Sequence, residues 1–251
     1  MDIDLKICEE KVMSIKTILR KLIMPNTYSQ EAYIEYLRKN GVVIGDNVSI
    51  YAPNHTTVDI RKPWLVSIGN NCKITSGVTI LAHDYSVSVA RRKFGQFVGG
   101  SLPVSIGENV FIGIGSTILM GTTIGKNCIV GANSVVKGNF PDDSVIAGNP
   151  AKVICSIDDF YNKNLKKWID NAKRCAKAIY INSGHKPTIE DMSDGYAWLY
   201  LERNVENIEK YKNFFTLSSD DYEDIIKHFL ESQPLYSSFE AFLEDCHFEN
   251  I

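Results

Sequence analysis

The sequence predicts a mainly β protein: a solenoid of short parallel strands wound into three-sided coils, with helices before and after it. Three observations predict this. An apolar β-branched residue recurs at every sixth position through Ile106, Ile112, Ile118, Ile124, Val130 and Val136. The next position is often glycine, as at Gly107, Gly113, Gly125 and Gly131. The fourth residue after the anchor is small or short, at Val110, Ser116, Thr122, Cys128 and Ser134. A helix repeats near 3.6 and a half-buried strand at 2, so neither alone yields six. A short strand plus a corner does, and a fixed short period marks stacked repeats. Three such sides close a coil of about 18 residues that buries a column of Ile and Val.

Residues 1–42 read as a helical cap. Ile3, Leu5, Ile7, Val12, Ile15, Ile18, Leu19 and Leu22 have the spacing of an amphipathic helix over 2–23, which Pro25 and Asn26 end. A second helix follows, with Ser29 as N-cap and Gly41 as terminator. Such helices would cover the strand edges that a first coil leaves open.

The coils span 43–155. Ile44, Ile50, Ile68, Ile74 and Ile80 keep one register across the degenerate stretch 53–65, giving seven slots from 44 to 80. Ile106 lies 26 residues after Ile80, which is not a multiple of six. The insertion is assigned to 83–103, a polar, aromatic and Gly-rich protruding loop of the kind that carries a solenoid's binding face. Pro141 and Pro150 are expected to break the ladder. Residues 156–251 read as a helical extension. Its first helix has Ser156 as N-cap and Asp158 and Asp159 in the first turn. Residues 196–215 and 218–233 also read as helical, the latter capped by Ser219, and 237–251 as one more short helix. From Asp220 onward there are nine acidic residues and one Lys, which reads as a solvated face, with a partner surface as the alternative.

Composition narrows the function. A net charge of −3 gives no reason to expect nucleic acid or an anionic membrane surface. No apolar run approaches the ~20 residues of a spanning helix, and the charged first residues lack a secretory h-region. The six cysteines are scattered with no Cys-x-x-Cys, and read as reduced in a cytoplasmic protein. Cys72 and Cys128 fall at small inward positions. With no signal peptide, the Asn-x-Ser/Thr strings at Asn47 and Asn54 carry no glycosylation meaning.

The hexads, the string Gly148-Asn149-Pro150-Ala151-Lys152-Val153-Ile154 and the string His83-Asp84-Tyr85-Ser86 together resemble the hexapeptide-repeat acyltransferases. Within them the chain is similar to the maltose, galactoside and capsule O-acetyltransferases, over about residues 43–160. The resemblance implies a left-handed parallel β-helix. That hand is an exception to the usual right-handed crossover and does not follow from the period. It also implies acetyl-CoA as donor, a saccharide or nucleotide-sugar acceptor, and a homotrimer with active sites between subunits.

His83 is the candidate general base. It lies three residues after Ile80, at the mouth of the insertion, where a side chain leaves the coil. A sugar hydroxyl is a poor nucleophile near neutral pH, while a thioester is already reactive, so removing the hydroxyl proton is the main task left to side chains. The resemblance gives a His here that role. For Asp84 two readings stay open: orienting the imidazole, or a substrate or loop contact. Asn54 and Asp59 lie where relatives carry an Asn that bonds the acceptor hydroxyl, with His55 the competitor if the register slips. Both are equally at home as turn residues. Tyr85, Arg91, Arg92, Lys93, Phe94 and Phe97 decorate the insertion and suit sugar stacking and anion pairing, or packing on a neighbouring subunit. The positions matching acetyl-CoA contacts are Ile114, Ala132, Lys137, Gly138 and Lys152. Here Lys137-Gly138 replaces the Thr-Lys that usually follows Ser-Val-Val, which leaves Lys137 or Lys152 for the nucleotide phosphates. N-acylation of an amino-sugar nucleotide, a metal-dependent hydratase and a non-enzymatic scaffold are the competing readings. The hydratase needs three His ligands, and the repeats hold only His55 and His83.

Overall fold

The computed structural model describes residues 19, 21–192, 195–215 and 222–250. The expected helix over 2–23 lies almost wholly outside the described residues, as does Ser219. The chain forms two compact units that part between Phe160 and Tyr161.

In the first unit the chain visits three ladders in strict rotation. One stacks β1 (Val43–Ile44), β4 (Val66–Ile68), β7 (Val104–Ile106), β10 (Thr123–Ile124) and β13 (Asn139–Phe140). The second stacks β2 (Ser49–Ile50), β5 (Lys73–Ile74), β8 (Phe111–Ile112), β11 (Ile129–Val130) and β14 (Ser144–Gly148), and ends on the antiparallel β15 (Ala151–Ser156). The third stacks β3 (Thr57–Val58), β6 (Thr79–Ile80), β9 (Thr117–Ile118) and β12 (Val135–Val136). Ser105 pairs with Thr123, Phe111 with Ile129 and Thr117 with Val135, each 18 residues on. The anchors Ile50, Ile74, Ile80, Ile112, Ile118, Val130 and Val136 are fully buried, as are the small Ser116, Thr122, Cys128 and Ser134. The small polar residues stay satisfied: the Ser134 and Thr122 hydroxyls donate to the carbonyls of Gly131 (2.7 Å) and Leu119 (2.6 Å).

The structure corrects the register of the first coil. Ile44 and Ile68 are 24 residues apart, yet only two strands, β2 and β3, lie between one visit to the ladder and the next. The six surplus residues sit in two single 3-10 turns, Pro53–His55 and Pro63–Leu65. The inward residue of the third side is Val58, and Lys62, an expected slot, is exposed. The period survived in the sequence only because the surplus happens to be six.

The first coil is closed from below by α1 (Gln30–Lys39), whose Ser29 N-cap accepts from Ala32 N–H at 3.2 Å. Arg38 donates to the carbonyls of Ile44 and Gly45, and the buried Tyr33 hydroxyl reaches the backbone beside β3. At the other end Pro141 and Pro150 do not break the ladder. In each coil the amide after the first-ladder anchor donates onward: Gly107 to Ile124 O (2.8 Å), Gly125 to Phe140 O (3.0 Å). Pro141 holds that place after β13, the last strand of its ladder, so its missing N–H has no bond to lose. Pro150 sits in the turn between β14 and β15.

The insertion is more ordered than a loop. It contains α2 (Val87–Phe94), which ends at Gly95 in the left-handed region (φ 73°). Val87 is buried against Gly99, where an added Cβ would come within 2.2 Å of Val87 Cγ1.

The second unit is helical. It takes up most of α3 (Ile157–Ser183), whose Ser156 cap accepts from Asp159 N–H at 3.0 Å, and continues with α4 (Val205–Lys210), α5 (Tyr222–Glu231) and α6 (Phe239–Asp245). Phe215, Phe229 and Phe242 are fully buried in its core. The continuous helix expected over 196–215 is broken. Tyr196–Leu199 and Lys212–Phe215 are 3-10 turns, and Asn204 starts α4 by accepting from Asn207 N–H at 2.8 Å. Arg203 causes part of the break: it folds back to donate to the Trp198 and Leu201 carbonyls and lies 4.3 Å from the Phe229 ring centre.

Candidate active site at the neck of the insertion

Val58 and Ile80 are partners in the third ladder. The chain leaves both strands at the same corner, and that shared corner brings Asp59 and His83 together. The Asp59 carboxylate contacts His83 Nδ1 through Oδ2. The neck of the insertion fixes the His83 backbone, which bridges Ser101 in antiparallel fashion, while Leu102 N–H donates to Ala82 O at 3.1 Å. The two side chains differ sharply in exposure, 1% for Asp59 and 30% for His83.

Asp59 is also held by the backbone. Its Oδ1 accepts from Arg61 N–H at 2.9 Å and its Oδ2 from Ala82 N–H at 3.0 Å. Burial is the largest influence on this carboxyl and pushes its pKa up. The hydrogen bonds from His83 and the two amides together outweigh burial and hold it below the usual carboxylate value. An ionised carboxylate can only accept, so the His83 nitrogen facing it carries the hydrogen. In the neutral ring Nε2 then keeps its lone pair, which gives a partly exposed proton acceptor on a buried anionic support.

The partner of His83 is therefore Asp59 and not Asp84. Asp84 is exposed and turned toward the start of α2, accepting from Ser86 N–H (2.8 Å) and Ser86 Oγ (2.7 Å). Those bonds hold its carboxyl below the ordinary value, helped by Lys137 and His83, so the Lys137 charge acts on the same rim. Asn54 and His55 are exposed in the 3-10 turn before β3, and Tyr85 is exposed beside Asp84. Arg91, Arg92 and Lys93 line a shallow groove along α2 with Ser88 and Val89. The five expected donor positions occupy three places. Ile114 and Ala132 are exposed in consecutive coils at the corner after the second ladder, where Asn133 N–H donates to Ile114 O at 2.8 Å. Lys137 and Gly138 follow β12, and Lys152 pairs with Ala147 in the final hairpin. Sequence reasoning missed the Ala82 amide, Ser101 and Tyr33. The Asp59 pairing was readable had the third side of the first coil been placed at Val58.

An ordered three-ladder coil carrying a carboxylate-backed imidazole at its rim is a frame for acyl transfer, and the comparisons agree. The family model for the hexapeptide repeat of succinyl-transferase matches residues 66–82 and 103–137, with its gap over the insertion. Protein CapG of Staphylococcus aureus is 43% identical over 130 residues, 52% of this chain and 74% of its own length. The galactoside O-acetyltransferase of Escherichia coli (strain K12) is 36% identical over 149 residues, 56% of this chain and 70% of its own. The putative lipopolysaccharide biosynthesis O-acetyl transferase WbbJ of the same strain is 35% identical over 134 residues, 51% and 64% respectively. A solved galactoside acetyltransferase in complex with coenzyme A aligns at 24% identity and TM-score 0.39, over 61% of this chain and 88% of its own. The chain belongs to the hexapeptide-repeat acetyltransferases and is an acyltransferase. Among the described residues no helix is long and apolar enough to cross a membrane.

Proposed function

We propose that this acyltransferase moves acetyl from acetyl-CoA to a saccharide hydroxyl, with His83 as general base and Asp59 as its support. The carrying observation is the Asp59–His83 pair, which leaves Nε2 available at the rim. His83 Nε2 takes the hydroxyl proton as the acceptor oxygen bonds to the acyl carbon, then returns it to the departing sulfur. No covalent intermediate on the protein is required. The relatives' names, a galactoside acetyltransferase and a lipopolysaccharide enzyme, support a glycan or its precursor as acceptor. Asn54, Asp84 and Tyr85 are the acceptor-side candidates, and all three lie around or before the neck.

Ile114, Ala132, Lys137, Gly138 and Lys152 are the proposed donor-side residues. The corner at Ile114 and Ala132 suits an extended amide-bearing arm, because both residues are exposed there in consecutive coils. Lys137 has its charge near Asp84 and suits an anionic donor. We further read the coil as triangular in section and left-handed, and the protein as a homotrimer with sites between subunits. A three-sided coil offers flat faces that close three-fold through one repeated interface. A screen of saccharide and amino-sugar acceptors with acetyl-CoA, reading thiol release, tests the reaction class. Release with hydroxyl acceptors is expected. Release only with free amines would transfer the reading to N-acetylation.

A further inference from the structure

We propose that Tyr33, on the helix that closes the first coil, is a positioning residue for the Asp59–His83 pair. This rests on the reading of His83 as the base. Asp59 directly follows β3, a strand of only two residues at the open edge of its ladder. On its upper side β3 is held by β6: Thr57 N–H donates to Val78 O and Asp59 N–H to Ile80 O, both at 2.9 Å. Val58 N–H points the other way, where no ladder strand lies among the described residues. The Tyr33 hydroxyl fills that role. It accepts from Val58 N–H at 3.3 Å and donates to Thr56 O at 3.0 Å, so one oxygen spans the residues on either side of Thr57.

Tyr33 is 6% exposed and Thr56 5%, so water is a poor substitute for the hydroxyl. Burial also pushes the phenol's pKa up, which keeps it protonated and able to donate. The strand is flanked by the surplus 3-10 turns of this coil, segments without a ladder of their own. Fixing Val58 fixes the backbone from which the Asp59 side chain departs, and Asp59 in turn fixes the imidazole. Arg38, on the same helix, does the equivalent job for Ile44 and Gly45 on the first ladder, away from the pair. Tyr33→Phe removes the oxygen and keeps the ring.

The test compares wild type, Tyr33→Phe, Asp59→Asn, their double variant and Arg38→Met, by amide hydrogen exchange and by thiol release from acetyl-CoA with methyl β-D-galactoside. Tyr33→Phe should speed exchange over 56–59 and 80–83 about tenfold, and lower kcat about tenfold with KM unchanged, less than the ~10²-fold of a full ångström of misplacement. In the Asp59→Asn background it should do nothing further to kcat, because the route runs through Asp59. Arg38→Met should destabilise the fold and leave kcat unchanged. Equal losses from Tyr33→Phe in both backgrounds, an equal loss from Arg38→Met, or unchanged exchange over 56–59 would each overturn the proposal. If His83→Ala leaves turnover with the glycoside unchanged, or the glycoside is no acceptor, the base assignment or the acceptor fails, and exchange alone still decides whether Tyr33 holds the Asp59 segment.

Discussion

At the scale of single residues, the candidate chemistry depends on which nitrogen of His83 keeps its hydrogen. Asp59 decides this because it is buried, ionised and already satisfied by two amides. Asp59→Asn replaces one of two accepting oxygens with an amide donor, which must face either the Arg61 N–H or the Ala82 N–H and His83 Nδ1, where only acceptors fit. Turnover should fall about 10²-fold, as for an ångström-scale misplacement of a catalytic group. The same carboxyl contributes to stability with a defined sign. Its folded pKa lies below the unfolded 3.8, so its contribution is present above 3.8 and is lost as pH falls through the folded value. Urea midpoints should therefore drop for wild type below pH 3.8, while Asp59→Asn should lack that part of the slope. A flat gap between the two proteins across this range would refute the linkage. His83 was legible in the sequence because it stands three residues past an anchor, at the insertion mouth. Its partner was not, because Asp84 is its neighbour in sequence and Asp59 is its neighbour only through the ladder.

At the scale of elements, the corners hold the coil as much as the strands do. Asn47, Asn71, Asn109, Asn127 and Asp143 occupy one corner, all in the left-handed region at φ 53–57°. Their side chains form a ladder of their own: Asn109 Nδ2 donates to Asn127 Oδ1 at 2.9 Å, and Asn127 Nδ2 to Asp143 Oδ1 at 2.8 Å. Asn is among the residues that tolerate this backbone. Asn127→Ala loses both bonds and meets the left-handed penalty, for a destabilisation of roughly 1–3 kcal/mol. Asn127→Gly loses the bonds alone and should unfold later than Asn127→Ala in thermal melts. The reverse order would show that the left-handed backbone does not limit stability at this corner. The six-residue anchors revealed the strands because inward packing is written in side-chain size. The helices that start after Ser29 and Ser156 could be read from hydroxyls placed before helical runs. The helix in the insertion was not legible, because its cap is a carboxylate turn and its buried side chain meets a glycine. The break at Leu201–Asn204 was hidden because Arg203 stabilises it through carbonyls in its own segment and a ring from α5.

At the scale of the molecule, rotation among three ladders explains why residues from different repeats meet. Asp59 and His83 are 24 positions apart but one coil apart in space. The three parallel ladders were legible because their period repeats many times. The second unit was read only as helical, since its aromatic core around Phe215, Phe229 and Phe242 follows no period. Sedimentation or native mass measurement should give about three times the 28.2 kDa of one chain. A monomer retaining full turnover would exclude a site completed by a second subunit. The most direct measurement for the whole account is thiol release by His83→Ala, with acetyl-CoA and the best saccharide from the acceptor screen. Loss of turnover by about 10²–10⁴-fold, at unchanged melting temperature and mass, is the predicted result. Turnover within about threefold of wild type would contradict it, since general-base catalysis contributes far more than that.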